Sequence, residues 1–168
     1  MRIRAIAMVF GMLGTVLLSG TVSAAEESPR IRADLEGRPI KAGEIGSYYC
    51  HDFAFPEVHC FSTASELEAA STSGDGLIAS AVGPGDYVTI FADQGFVGSY
   101  MHLSQNYDTL FWIGWNDRIS SFKARNSARG TFWSDWNGEG IGTVFCCNQT
   151  VAALSSTVDN TFTSVYRG

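Results

Sequence analysis

Basic residues and prolines are scarce in this 168-residue chain, which has 11 Lys and Arg against 17 Asp and Glu, and only four prolines. Charged residues make up 17% of the chain and aromatic residues 12%. Disordered chains are rich in charge and poor in aromatics, so we expect a folded domain. The shortage of cations excludes most nucleic-acid partners, because phosphate binding needs a basic face.

A long apolar run occurs only once, at the N-terminus. Two arginines precede an uncharged stretch at 5–18, and small residues follow at 22–24, a pattern typical of a secretory signal peptide. We therefore predict a signal peptide at 1–24 and a secreted, extracellular protein with no membrane span. The remaining 144 residues hold nine basic and all 17 acidic residues, a formal net charge of −8, and suffice for one domain.

Four cysteines lie in the exported part, and an even count in an oxidising compartment predicts two disulfides. A strand is predicted at Cys146 and Cys147, so their side chains should point to opposite faces and a bond between them would be strained. We favour bonds from these two residues to Cys50 and Cys60. A local Cys50–Cys60 bond is the alternative.

Residues 25–76 are predicted to form an accessory segment before the main domain. The aromatics around the first two cysteines should pack on that domain rather than bind a ligand. Thr63 and Glu66 form a capping box that starts a short helix. The Ser- and Gly-rich stretch at 71–76 predicts a flexible linker.

A six-residue pattern occurs twice in the second half of the chain: Asn/Asp, Asn/Asp, two variable residues, Ser/Thr and Ser. It lies at Asn116–Ser121 and, 43 residues later, at Asp159–Ser164. An internal period of this length indicates two copies of one supersecondary unit. An aromatic, glycine-rich strand pair precedes each copy.

The first strand pair surrounds a turn in which Phe91, Phe96 and Gly98 follow the order aromatic, four residues, aromatic, any residue, glycine. This spacing predicts a folded-over hairpin whose glycine adopts a backbone conformation unfavourable for other residues. The stretch at 132–140 departs from the pattern. Either its aromatic spacing is one residue short, or glycine replaces the second aromatic.

These motifs resemble those of the βγ-crystallin family, and specifically of its microbial, calcium-binding members, over about residues 85–167. The resemblance implies an all-β fold in which two Greek-key motifs, at about 85–126 and 129–167, form a β-sandwich. The domain would span 77–168, after the short N-terminal accessory segment with its one helix.

The resemblance also implies two Ca²⁺ sites, each shared between the repeated loops. In each site the second-position side chain of one loop joins the third-position carbonyl and the fifth-position hydroxyl of the other. The site that contains the Asp carboxylate should be the tighter one, and both should be weak, in the roughly 10⁻⁴–10⁻³ M range. The implied ligands are Asp117, Thr161 and Thr163 in one site, and Asn160, Arg118 and Ser120 in the other.

The remaining oxygen-bearing positions of the loops are predicted mainly to stabilise the loops themselves. Ser121 and Ser164 are interpreted as bracing hydrogen bonds within the loop. Asn116 and Asp159 would tune the charge or cap the turn, with metal contact as a further role.

The predicted function is a secreted, monomeric calcium-binding domain that is not an enzyme, since no catalytic constellation is visible and His102 stands alone on a predicted strand. The alternative is a secreted metalloproteinase inhibitor or toxin-like protein on the same fold. Its partner would be an extracellular protease, contacted near Phe96 or at 53–57. Sugar or cell-wall binding through the four tryptophans is also considered, although tryptophans more often fill a core.

Overall fold

The structure is a computed structural model that describes residues 30–72 and 86–168. The predicted signal peptide, the first residues of the accessory segment and most of the predicted linker lie outside the described residues. In the described part there is one α-helix, and no helix is long and apolar enough to cross a membrane. The elements are β1 (Arg32–Leu35), β2 (Arg38–Ile40), β3 (Tyr49–Ala54), β4 (Glu57–Phe61), α1 (Ala64–Thr72), β5 (Val88–Phe91), β6 (Tyr100–Leu103), β7 (Ser121–Ala124), β8 (Arg129–Trp133), β9 (Gly142–Cys146), β10 (Thr150–Val151) and β11 (Ser164–Arg167).

The strands form two sheets, one with the order β10-β7-β5-β6-β3-β4-β1-β2 and one with the order β11-β8-β9. The antiparallel order β7-β5-β6 in the first sheet corresponds to β11-β8-β9 in the second. β10 comes from the second motif but pairs with β7, while Tyr107 comes from the first motif and pairs with Val165 in β11. The second motif thus contributes β10 to the first sheet, and the first motif contributes a single bridge, at Tyr107, to the second sheet. The predicted all-β fold of two Greek-key motifs is confirmed.

An aromatic core joins the two sheets. Phe132 lies in β8, and its ring centroid is 5.2 Å from Phe122, 4.9 Å from Phe145 and 4.8 Å from Phe162. All four side chains are at most 1% exposed. Burial of each such side chain contributes roughly 1.5–3 kcal/mol, so this cluster is a main source of stability for the sandwich.

The N-terminal segment extends the first sheet by four strands, although the sequence analysis predicted only a helix there. β3 pairs in parallel with β6, which places His51 opposite His102. The fully buried Asp52 fixes this junction, since its carboxylate accepts hydrogen bonds from the Ser104 N–H (2.6 Å) and the Tyr107 hydroxyl (2.9 Å). The segment is therefore part of the same folded body.

The helix α1 begins at the predicted capping box. The Thr63 N–H donates to the Glu66 carboxylate (2.9 Å), and the Glu66 N–H donates back to the Thr63 hydroxyl (3.3 Å). Leu67 is fully buried in a small apolar cluster with Phe91 and Tyr100. The helix continues through Thr72, so its end overlaps the predicted start of the linker.

The favoured disulfide pairing is wrong. Cys50 and Cys60 bond to each other, because β3 and β4 form an antiparallel hairpin in which these two residues are directly opposite. Cys146 and Cys147 are free thiols. Cys146 ends β9 in the other sheet, and Cys147 lies in the following turn with φ +61°. The local alternative is the one that the structure contains.

Candidate metal centre

The two repeated loops face each other and exchange equivalent backbone hydrogen bonds. The Asp117 N–H donates to the Phe162 carbonyl (3.0 Å), and the Asn160 N–H donates to the Ile119 carbonyl (3.1 Å). In each case the second position of one loop bonds to the fourth position of the other. The loops are therefore related by an approximate twofold rotation, which brings the two sets of oxygens together.

The second-position residues have the same left-handed backbone, with φ +54° at Asp117 and +55° at Asn160. Asn and Asp tolerate this conformation better than most residues, which accounts for their presence at this position. The Asn160 side chain reaches the opposite loop, where its Oδ1 accepts a hydrogen bond from the Ser120 hydroxyl (3.2 Å). Two of the three groups predicted for one site are thus adjacent.

The other predicted pair, Asp117 and Thr163, is not joined by a hydrogen bond within the described residues. The Asp117 carboxylate instead accepts a hydrogen bond from the Asn116 amide (2.6 Å). The Asp117 side chain is exposed and the Thr163 hydroxyl belongs to a buried residue. The structure therefore brings the Asn160 set together more closely than the Asp117 set.

The third-position residues direct their side chains to other groups. The Arg118 guanidinium donates to the Gly114 carbonyl (3.1 Å) and lies over the Trp115 ring, and the Thr161 hydroxyl donates to the Val158 carbonyl (2.9 Å). In the described part of the chain, neither the Arg118 nor the Thr161 carbonyl oxygen accepts a hydrogen bond. Both carbonyls remain available as ligands, as the prediction requires.

The first-position residues contribute a pair of unsatisfied oxygens. Asn116 Oδ1 and Asp159 Oδ1 are buried and have no hydrogen-bond partner among the described residues. A buried acceptor without a donor costs roughly 1–3 kcal/mol. Two such oxygens at equivalent positions fit a bound cation or ordered water, so the donor chemistry of these loops suits Ca²⁺, which prefers oxygen ligands.

The sixth-position serines brace the hairpins rather than their own loops. The Ser121 hydroxyl donates to the Asp93 carbonyl (2.6 Å) and accepts from the Phe96 N–H (3.2 Å). The Ser164 hydroxyl likewise donates to the Asp135 carbonyl (2.6 Å) and accepts from the Gly138 N–H (3.1 Å). Both serines are fully buried, so they connect each hairpin to the strand that follows the loop.

The two hairpins have the same length. The Asp93 N–H donates to the Val97 carbonyl (3.3 Å), and the Asp135 N–H donates to the Glu139 carbonyl (3.2 Å). Gly98 has φ +77°, and a Cβ there would lie 2.4 Å from a carboxylate oxygen of Asp93, which is why this position needs glycine. The spacing in the second hairpin is thus not one residue short.

Glycine replaces the second aromatic of the hairpin pattern. Gly138 (φ +73°) stands where the first hairpin has Phe96 (φ +63°). A Cβ at Gly138 would lie 3.1 Å from the Tyr166 ring, whereas Lys123, at the position equivalent to Tyr166, places its ammonium 4.4 Å from the Phe96 ring centroid. The aromatic ring of the second motif is therefore supplied by the strand instead of the turn.

All three histidines lie in one row across β4, β3 and β6, which the sequence analysis missed. His51 is paired with His59 on one side and His102 on the other. His59 contacts the Asp34 carboxylate (2.6 Å), and His102 contacts the Thr89 hydroxyl (2.8 Å). No sequence signal identified this row, because it depends on the unpredicted pairing of β3 with β6.

His51 and His102 are buried, and His59 is half-buried beside Asp34. Burial lowers the pKa of His51 to about 3 and that of His102 to about 4. Neither ring nitrogen of His51 has a hydrogen-bond partner among the described residues. Within 30–72 and 86–168, no group of three or more His, Cys, Asp or Glu side chains is placed to hold a metal ion. In this part of the chain, the ligands of a metal site would therefore include carbonyl, amide or hydroxyl oxygens beside a carboxylate such as that of Asp117.

The chain is similar in structure to βγ-crystallin domains over about half its length. A domain from Flavobacterium johnsoniae is 23% identical, with 49% of this chain and 93% of that chain covered and a TM-score of 0.44. A βγ-crystallin from Ciona intestinalis is 22% identical, with coverage of 48% and 98% and a TM-score of 0.45. A clostrillin double mutant in complex with nickel is 22% identical, with coverage of 48% and 95% and a TM-score of 0.43.

No family model and no curated protein matches the chain. The fold assignment rests on the strand order described above, in which β10 of the second motif joins the first sheet and Tyr107 of the first motif bridges to the second sheet. The structural similarity includes microbial domains. The resemblance to βγ-crystallins, expected from the loops and hairpins, is thus found at the level of the fold.

Proposed function

We propose that this protein is a secreted calcium-binding domain in which Ca²⁺ joins the two repeated loops. The observation that carries the proposal is the reciprocal pairing of the loops, with the Asp117 and Asn160 N–H groups each bonded to the opposite loop. This pairing supports a site that draws oxygen-bearing side chains and free carbonyls from both loops. A hard cation binds such oxygen groups in a tolerant geometry.

One site would use the Asp117 carboxylate with the Thr161 carbonyl and the Thr163 hydroxyl. The other would use the Asn160 amide oxygen with the Arg118 carbonyl and the Ser120 hydroxyl, and the Asn160 and Ser120 side chains already meet at 3.2 Å. In the bound state, these two oxygens would exchange their mutual hydrogen bond for the ion. The ion would thereby stiffen both loops and the strands that follow them.

Calcium would act as a stabilising ligand rather than a catalyst. An ion that binds only the folded state adds about 2.7 kcal/mol of stability at one hundred times its dissociation constant. With dissociation constants of roughly 10⁻⁴–10⁻³ M, 10 mM Ca²⁺ is about 10 to 100 times Kd, so the gain is about 1.4–2.7 kcal/mol and the rise in Tm is roughly 3–10 °C. Thermal unfolding with 10 mM CaCl₂, with EDTA and with 10 mM MgCl₂ tests the proposal, and we expect the rise with calcium alone.

The variant Asp117→Ala tests whether the repeated loops form the calcium site. Calorimetric titration with Ca²⁺ should lose its tighter binding event in this variant, because the carboxylate is the strongest ligand of either loop. Glu57→Ala is the matched control, since it removes one exposed carboxylate from β4, outside the loops. An identical titration for Asp117→Ala and the original chain would exclude these loops as the calcium site. The inhibitor alternative stays a prediction, tested by adding the protein to secreted metalloproteinases.

A further inference from the structure

Three exposed aromatic side chains, Phe111, Trp112 and Trp136, form a continuous surface that we call the aromatic rim. They are 54%, 58% and 46% exposed, whereas Trp115 is fully buried and Trp133 is half-buried. Their ring centroids are 5.0 to 6.3 Å apart. A contiguous patch of exposed aromatic side chains marks an interaction site, because covering these rings with a partner would release free energy that is not gained while they remain in water.

The aromatic rim borders a cleft. Trp112 and Trp136 line one side of a cavity of about 660 Å³. This volume falls within the roughly 300–1,000 Å³ of ordinary ligand sites. The N-terminal segment also lines the cavity, through Ile31, Ala42 and Phe55. The cleft therefore exists because the accessory strands pack beside the Greek-key motifs.

Polar groups also line the cleft. The Asn106 Oδ1 accepts a hydrogen bond from the Arg167 N–H (2.8 Å), while its amide NH₂ donates to none of the described residues. One Asp108 carboxylate oxygen accepts from the Tyr166 hydroxyl, and the other has no described donor. The Asn137 side chain makes no hydrogen bond within the described part of the chain. The cleft thus presents both donors and acceptors to a ligand.

The internal duplication shows that the fold does not require aromatics here. The Asn137 N–H donates to the Asp108 carbonyl (2.9 Å), and the equivalent bond in the other motif joins the Gly95 N–H to the Ala152 carbonyl (2.6 Å). These equivalent bonds align the residues around the cleft, one by one, with their counterparts in the other motif. The counterparts of Trp136, Phe111, Trp112 and Asp108 are Gln94, Ser155, Ser156 and Ala152.

The backbone that carries Phe111 and Trp112 is anchored on both sides. Phe111 and Trp112 lie on a 3₁₀-helix at Phe111–Ile113 that is anchored by the buried Leu110 and Ile113. Gly114 follows, and a Cβ there would lie 2.3 Å from the Gly43 carbonyl oxygen, so the N-terminal segment presses directly on this turn. A site that is ordered before binding loses less entropy when the ligand arrives.

We propose that this cleft binds a neutral oligosaccharide. A pyranose ring has a flat face of C–H groups that packs on an indole ring, and hydroxyls at its edge that pair with amides and carboxylates. The described lining residues include no Lys or Arg, and Asp108 repels anions, so phosphate, sulfate or uronic acid groups are disfavoured. The acceptors and donors at Asn106, Asp108 and Asn137 suit hydroxyl groups, whereas a lipid chain would leave them without partners.

Affinity electrophoresis and tryptophan fluorescence test the proposal with cellohexaose, xylohexaose, chitohexaose and mannohexaose, each in calcium and in EDTA. At least one of these neutral oligosaccharides should bind. Trp136→Gln and Trp112→Ser should each weaken that binding at least about tenfold. Both variants install the residue that the duplicate motif carries, so the fold tolerates them, and circular dichroism checks this. The matched controls are Gln94→Ala and Ser156→Ala, which should change the affinity less than about twofold.

Several outcomes would overturn the assignment. They are no binding by any of the four sugars in either buffer, and equal binding by the tryptophan variants and the controls. Binding of phosphatidylcholine vesicles or of a secreted protease that is lost in Trp136→Gln, without sugar binding, would assign the cleft to another partner. The calcium proposal does not depend on the result, because its variants lie in the loops.

Discussion

Ser164 occupies in the second Greek-key motif the position that Ser121 occupies in the first, and each hydroxyl donates at 2.6 Å to a carbonyl at the start of the hairpin turn in its own motif. The acceptors are Asp135 and Asp93, respectively. Each serine also accepts an N–H from the same turn. The last residue of each loop therefore fixes the hairpin of its own motif through the same two hydrogen bonds. These bonds are additional to those between the two loops.

Replacement of either serine by alanine should destabilise the protein. Ser121→Ala and Ser164→Ala each remove two part-buried hydrogen bonds. At roughly 0.5–1.5 kcal/mol for each bond, we expect a loss of roughly 1–3 kcal/mol in the free energy of unfolding. Urea denaturation measures it. The control Ser156→Ala changes an exposed serine and should stay within about 0.5 kcal/mol. Losses as small as in the control would show that these hydrogen bonds are not important for stability.

The disulfide pattern makes a separate prediction. The unfolded, unreduced protein should contain two reactive thiols, at Cys146 and Cys147, and peptide mapping should recover Cys50 linked to Cys60. A cross-linked peptide that contains Cys146 or Cys147 would contradict the structure. The double variant Cys50→Ala with Cys60→Ala should lose about 2–3 kcal/mol, because the bond restricts the unfolded chain.

The parts of this molecule that the sequence predicted are the local and repeated ones. The loops at Asn116 and Asp159, and the hairpin at Phe96, follow from spacings within a few residues, and duplication made them visible. The strand β3 was missed because its partner β6 lies some fifty residues away along the chain. The disulfide pairing depends instead on the local β3–β4 hairpin, which aligns Cys50 with Cys60 and which the sequence analysis did not predict.

The aromatic cleft could not be derived from sequence either. Trp112 and Trp115 are only three residues apart, yet one is exposed and the other is fully buried. That difference depends on which face of the turn at Phe111–Ile113 meets the core. A wall of the cleft also comes from Phe55, in the turn between β3 and β4. A site whose residues come from distant segments produces no regular spacing in the sequence.

Acid should destabilise the protein through the buried histidines. The pKa of His51 is lowered by burial to about 3, and that of His102 to about 4, from 6.5. Below pH 6.5 the unfolded chain therefore takes up protons that the folded chain does not. The free energy of unfolding consequently decreases as the pH is lowered. Asp52 opposes this, because burial raises its pKa from 3.8 to about 6 and the folded chain binds its proton first. For these three groups together, the slope between about pH 4 and 6 is that of one proton, about 1.4 kcal/mol per pH unit.

Two variants separate these contributions. His51→Phe should nearly abolish the slope between about pH 4 and 6, and its ring can keep the stacking that His51 makes on Phe53. Asp52→Asn should double the slope, although it also lowers stability because the amide cannot accept all the hydrogen bonds that the carboxylate accepts. Urea denaturation at half-unit intervals from pH 4 to 7 measures both. An unchanged slope in His51→Phe would show that His51 does not remain neutral in the folded state.

The weaker calcium site should be strengthened by Asn160→Asp. This change places a carboxylate at the position equivalent to Asp117, and the Ser120 hydroxyl keeps an acceptor there. The added charge should raise the affinity of that site roughly tenfold, which is about 1.4 kcal/mol. Calorimetric titration should then show two binding events of similar strength. The control Asn148→Asp makes the same change at φ +62° in the turn after β9, outside the loops. Equal calcium affinities in the two variants would indicate a general charge effect and would rule out Asn160 as a ligand.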